Sequence, residues 1–347
     1  MKLTRAMLDE AASQELLDAG QAERLWQFLV ERDQHTPGFK PAHILYYLGG
    51  MIAIGAMSLF MTLGWESFGG TGLLLISILY MVAAIGGVEW LQARGLQLPA
   101  GILAAFSVVL VPLAIYGLQH ALGLWAERSH GGGYRDYHYY IDWRWIYMEL
   151  GTLAAGAVIL WRYRMPFTVM PLAVTLWYMS MDVTEMLLGQ YSLFSDEGKV
   201  ISAVFGAAMI LLALWIDLRN RSSKDFAFWL YIWGVITFWG ALTSMDSGSD
   251  LGKFVYCMIN VGMIGIGAAL SRRVFAVFGG IGVALYLGNV SYHMFRDSLM
   301  FPVALTAIGI AIIAAGVFWQ RREAAIGASL REWLPDPLRL LVERRAS

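Results

Sequence analysis

Apolar runs of about 18 residues or more recur along most of this chain, and that recurrence limits what it can fold into. A backbone inside a bilayer must satisfy its own hydrogen bonds, which leaves α-helices or a closed β-barrel. Barrel strands are about ten residues long and alternate in polarity. The runs here do neither, so the expected fold is all-α, a polytopic membrane protein. Composition agrees, with 58% hydrophobic and 15% charged residues, whereas soluble domains carry about 25% charged residues. A net charge of −1 gives no basis for a nucleic-acid partner. The single cysteine, Cys257, lies in an apolar run and excludes an intramolecular disulfide or a cysteine-based metal site.

Three regions follow from the pattern. Residues 1–40 read as a cytosolic helical segment, 41–320 as a transmembrane helical domain and 321–347 as a charged cytosolic tail. In the first, Asp18 and Gln21 have the spacing of a helix N-cap and its capping-box partner. Ala22, Leu25, Trp26, Leu29 and Val30 then form one apolar face. A shorter helix is expected from about Thr4 to Ala12, and Pro37-Gly38 with Pro41 forms the linker. No cleavable leader is expected ahead of the first apolar run near Ile44, and that run is expected to act as its own insertion signal.

Ten spans are expected, at about 44–63, 71–91, 100–120, 147–161, 167–188, 199–217, 226–244, 254–270, 274–292 and 299–319. With the N-terminus inside, nineteen of the 25 Lys and Arg fall on inner segments and six on outer ones, as the positive-inside rule requires. Both termini are therefore expected in the cytosol. Trp65, Trp125, Trp143 and Trp145 then mark the outer boundary, and Trp90, Trp161, Trp215, Trp229 and Trp319 the inner one. Pairs of small residues four apart, Gly49/Ala53, Gly151/Ala155 and Ala311/Ala315, offer close helix packing. Pro112 is expected to kink the third span.

The charged N-terminal segment, followed by Tyr47-Leu48-Gly49-Gly50, Gly55 and Trp65-Glu66, resembles a bacterial family of multi-pass "predicted membrane proteins" of unknown function. The likeness covers about the first hundred residues. It implies an inner-membrane location and brings over neither an activity nor site residues.

Candidate chemistry lies in the fifth span. Asp182 and Glu185 sit three residues apart on one helix face, which Tyr178 and Thr175 extend. An Asp at mid-helix in a bilayer costs about 2.5–3.5 kcal/mol on insertion scales, so such a group turns to protein or to water. At 1.5 Å per residue Asp182 lies about 22 Å above Phe167 and Glu185 about 27 Å, in the outer half of a core of about 30 Å. Other polar residues fall at the same level: Gln119 and His120 on the third span, Glu149 on the fourth and Asn260 on the eighth. Tyr286, Asn289 and His293 follow on the ninth. The inner half offers little beyond Glu89. This one-sidedness points to a polar vestibule open to the outer face, lined by Asp182, Glu185, Tyr178, Asn289, His293, Asn260, His120 and Glu149. The bland alternative is a set of hydrated helix ends, with Asn260 and Asn289 as links between helices.

The outer loop of residues 129–145 carries three glycines, many aromatics, and His130, Asp136, His138 and Asp142. Its spacing fits no standard metal site, and an interfacial aromatic segment or a lid is the simpler reading. The chain has no Walker loop, nucleophile elbow, His-Glu-x-x-His or Cys-x-x-Cys. No catalytic residue, metal or cofactor is therefore assigned. Three readings remain. One is a transporter or permease, whose carboxylates bind a proton or a small cationic substrate. The second is a scaffold or sensor whose N-terminal helices bind a protein partner. The third is an outer-leaflet enzyme with a carboxylate base. All three place the protein against the lipid bilayer.

Overall fold

The computed structural model of the chain describes residues 18–33, 41–124, 143–188, 195–220, 224–245 and 248–295, with isolated positions outside these stretches. Every regular element among them is helical: α1 (Ala19–Asp33), α2 (Pro41–Ala93), α3 (Gln97–Ala121), α4 (Trp143–Tyr163), a 3-10 turn (Pro166–Thr168), α5 (Val169–Leu188), α6 (Asp196–Arg219), α7 (Phe228–Ser244), α8 (Asp250–Ala269) and α9 (Arg273–Phe295). The all-α class is as expected. The helix expected near Thr4–Ala12, the 129–142 part of the outer loop, the 299–319 span and the tail lie outside the described residues, isolated positions apart.

Two compact units form, Met1–Ala53 and Ile54–Ser347. In the first, α1 starts at the anticipated cap: Asp18 N–H donates to Gln21 Oε1 at 3.3 Å. The amides of Gln21 and Ala22 donate to the Asp18 carbonyl at 2.8 and 2.9 Å. Ala22 is buried, whereas Leu25 is 37% exposed. In the chain the boundary between the units, after Ala53, falls within α2, which Pro41 opens.

In α2 the sequence suggests two spans with a connection around Trp65-Glu66. Instead the helix continues to a single non-helical residue, Gly69, with φ +61° and ψ −179°. That positive φ suits glycine, and one such residue interrupts the helix while few backbone groups lose their partners. Beyond it, Gly70 and Gly117 let α2 and α3 touch. A Cβ at Gly70 would lie 2.5 Å from Ala121 N, and one at Gly117 2.7 Å from Leu74 N. α3 continues through Pro112 as one helix.

Five helical segments are long and apolar enough to cross a membrane: Phe68–Ala93, Gln97–Ala121, Asp196–Arg219, Asp250–Ala269 and Arg273–His293. Of the remaining helices in the larger unit, α4 and α5 carry charges within their length, and α7 has 17 residues. In α3 the most apolar window is 61% buried, against 22% in each of the other four. α3 is thus an interior helix and the others face outwards. Leu79, Val82, Val158, Val204 and Leu211 are 62–67% exposed. A bundle so apolar on its outside belongs in a membrane.

One core joins α2 to α3 and α4 through Leu73, Phe106, Leu110, Tyr116 and Met148. A second joins α5 to α9 through Ala173, Met209, Tyr231, Val235, Met263 and Phe275, and a third gathers Val88, Ala100, Ala104 and Met165. α5 contributes to both sides, packing on α4, α6 and α7. Gly206 in α6 and Gly234 in α7 set a second close approach, where a Cβ on Gly206 would sit 2.4 Å from Phe238 N. The bundle has an arginine end. Gly101 on α3 meets Met165 and Phe167, and Phe167 packs on Trp229 at 5.3 Å. Arg272 binds Asp217 and Asp225. These contacts gather Arg94, Arg162, Arg164, Arg219, Lys224 and Arg272 at one end. Arg94 stacks on Trp90 at 3.8 Å and Arg219 on Trp215 at 4.5 Å, pairs suited to a membrane–water boundary.

Candidate functional site

α5 begins after a sharp turn, in which Arg164 has φ +50° and Pro166 opens the 3-10 turn. Its phase sends two faces into protein. Ala173, Trp177, Ser180 and Thr184 share one face, and Trp177 packs against Trp233 of α7 at 5.1 Å. The hydroxyls on this face are satisfied within the helix: Ser180 Oγ donates to Trp177 O at 2.6 Å and Thr184 Oγ1 to Ser180 O at 2.7 Å. Asp182, two residues from each, lies about 200° around the helix and points the other way.

There it meets Glu149 of α4. The two carboxyls are within hydrogen-bonding reach of each other, and Asp182 and Glu149 are 5% and 6% exposed. Their depth matches. Each lies six residues from the same end of the antiparallel pair, Glu149 after Trp143 and Asp182 before Leu188, or about 9 Å along the axis. Glu149 Oε2 is buried without a hydrogen-bond partner. Two ionised carboxylates are acceptors only, so a hydrogen bond between this pair would need a shared proton. Glu185, nearly one turn further out and partly exposed, adds a second negative charge that acts on Asp182. Nearby, Gln119 of α3 donates from Nε2 to the Arg144 carbonyl at 3.4 Å, tying α3 to the start of α4.

The other candidates lie elsewhere. Asn260 is fully buried as a link: its Oδ1 accepts from Trp239 Nε1 at 3.0 Å, and its Nδ2 donates to Tyr256 O at 2.8 Å. Tyr178 is 50% exposed, although it shares the Asp182 side of the helix. His120 is exposed, its ring 6.0 Å from that of Tyr116. Asn289 and His293 are exposed, and His293 Nδ1 lies 2.9 Å from the Asn289 carbonyl. The structure therefore brings Glu149 and Asp182 together, with Glu185 beside them, whereas Asn260 is buried between other partners and Tyr178, His120, Asn289 and His293 are exposed. Among the described residues no group of three or more His, Cys, Asp and Glu is placed to hold a metal.

A buried ionic cluster at the arginine end escaped the sequence reading. Arg272, in the turn between α8 and α9, donates from Nη2 to Asp217 Oδ2 at 2.8 Å. It also donates to both Asp225 oxygens, from Nη1 at 2.5 Å and from Nη2 at 2.9 Å. Its guanidinium lies over the Tyr231 ring at 4.7 Å. The preceding Ser271 has φ +54°, the kind of tight turn that aims Arg272 back at α6. The one available signal was Asp217, a carboxylate in the last turn of an apolar run. Its cationic partner is 55 residues away in the chain. Compared with known proteins, the chain matches no family model, no curated protein and no solved structure.

Proposed function

We propose that this membrane protein is permease-like, with the Glu149–Asp182 pair as the group that takes up and releases a proton or binds a small cationic substrate. The observation that carries this reading is the pair itself: two buried carboxyls on facing helices, one oxygen of which has no protein partner. A proton or a small cation would satisfy that buried oxygen. Glu185 offers the step from the pair to the outer surface. The Arg272–Asp217–Asp225 cluster places ionised groups near the opposite end as well, where a route across the membrane must continue. The full arrangement we propose has ten spans, both termini in the cytosol, a vestibule facing outwards and a bacterial inner-membrane location.

The test is proton movement in liposomes holding the purified chain, with an imposed pH gradient and a panel of small cationic solutes. Wild-type protein should couple proton flux to one solute class, and Asp182→Asn and Glu149→Gln should abolish it while remaining folded. The infrared band of a protonated carboxyl should be present in wild type and lost in both variants. Variants with wild-type flux and an unchanged band would sink the proposal.

A second reading rests on α1, whose Leu25 is exposed in a unit of its own. We propose that this face binds a protein partner, a role compatible with transport.

A further inference from the structure

Few groups around the Glu149–Asp182 pair could satisfy it. Both side chains belong to residues more than nine-tenths buried, and Glu149 Oε2 has no hydrogen-bond partner. The neighbouring hydroxyls have their protons committed. Thr152 Oγ1, one turn along α4, donates to the Met148 carbonyl at 2.6 Å, and Thr175 Oγ1 on α5 donates to the Pro171 carbonyl at 2.9 Å. Ser180 and Thr184 lie on the other face of α5 and donate within that helix.

The charge balance is one-sided. Among the described residues, the titratable and charged side chains towards this end of the surrounding helices are Tyr116 and His120 on α3, Arg144 and Tyr147 on α4, Tyr178 and Glu185 on α5, and Asp196, Glu197 and Lys199 on α6. α2 supplies none from Phe68 to Leu79. Lys199 pairs with Asp196 at 3.1 Å. No lysine, arginine or histidine among the described residues forms an ion pair with Glu149, Asp182 or Glu185. Ionising both members of the pair would put two negative charges side by side in the membrane without a counter-charge.

Different occupants meet this site differently. A divalent hard cation takes six or more oxygen ligands, and no third His, Cys, Asp or Glu among the described residues is placed to complete such a set. An alkali ion must exchange its hydration shell for protein oxygens, and two carboxyl groups replace only part of it. An organic cation is too large to reach side chains this covered while the helices stay packed. A proton needs no cavity. It joins the two acceptors and removes one of the two charges. We infer that the ligand of this site is one proton shared between Glu149 and Asp182, and that metal and organic cations do not occupy it. This rests on the proposal that the pair exchanges its occupant, and it names that occupant. The proton comes from water at this end of the bundle. One O–H bond of hydronium breaks as another forms on a carboxyl oxygen, and Glu185, partly exposed and three residues beyond Asp182, stands on the way.

The test is an infrared titration of the full chain in liposomes, following the protonated-carboxyl band against pH. The band is assigned to the pair by its loss in Glu149→Gln, or in Asp182→Asn if the first variant does not fold. The titration is run in N-methylglucamine chloride, then with sodium, potassium, magnesium or methylammonium chloride at equal ionic strength. The midpoint should be the same in every salt. A cation competing for the pair at about ten times its dissociation constant would move the midpoint by about one unit. Such a movement overturns the inference, while an exchanging cation site would still stand. No band in wild type at any pH, or a band that neither variant removes, overturns both the inference and the proposed role of the pair.

Discussion

Removing Arg272 should be among the most damaging single changes at the arginine end of the bundle. Its side chain is 7% exposed and that of Asp217 is 4% exposed, so Arg272→Met strands a buried carboxylate. Breaking a buried pair by deleting one partner typically costs about 3–5 kcal/mol, because the survivor keeps its desolvation penalty and loses its counter-charge. The side chain of Asp225 is 42% exposed, water already screens it, and Asp225→Asn should cost under about 1 kcal/mol. Asp217→Asn should fall between the two. A double variant, Asp217→Asn with Arg272→Met, should be less unstable than the sum of the single changes, with a coupling of about 0.5–3 kcal/mol. Denaturant titration in mixed micelles, with circular dichroism as the probe, gives each difference. The reasoning fails if Arg272→Met stays within about 1 kcal/mol of wild type. It also fails if Asp225→Asn proves as harmful as Asp217→Asn.

Gly282→Ala should destabilise the α8–α9 contact by about 1–3 kcal/mol. A Cβ there would lie 1.9 Å from Asn260 Oδ1, and two hydrogen bonds hold that side chain in place. A thermal midpoint equal to wild type would refute this. For topology, Gly132→Cys in a Cys257→Ser background should be labelled by an impermeant thiol reagent from outside, and Ser223→Cys should not. The reverse pattern would overturn the orientation. Leu25→Asp should weaken capture of the proposed partner without unfolding the membrane domain, since the residue is already 37% exposed. Unchanged association would mean that the α1 face binds nothing.

Hydropathy and local chemistry were legible without the structure. Apolar runs of spanning length become helices because the bilayer leaves the backbone few other options. The α1 cap at Asp18 and Gln21 is a contact between residues three apart, so the sequence contains both partners. The bias of Lys and Arg towards alternate connections also shows in sequence, and the contacts of Arg272, Phe167 and Lys224 join several of those connections into one end. Other features were settled only by packing. A polar stripe of Thr175, Tyr178, Asp182 and Glu185 is a true helix face, yet only the position of α4 decides that Asp182 is covered while Tyr178 is half exposed. Glu149 read either as a vestibule group or as a hydrated helix end, with no partner assigned, and only the register of α4 against α5 sets it beside Asp182, 33 residues on. The Arg272 cluster joins residues 47 and 55 apart. Helical periodicity reports which residues share a face over a few turns, and it contains nothing about which helix that face will meet. Those pairings arise from interhelical packing, set here by glycines at positions 70, 117, 206, 234 and 282 that allow close approach.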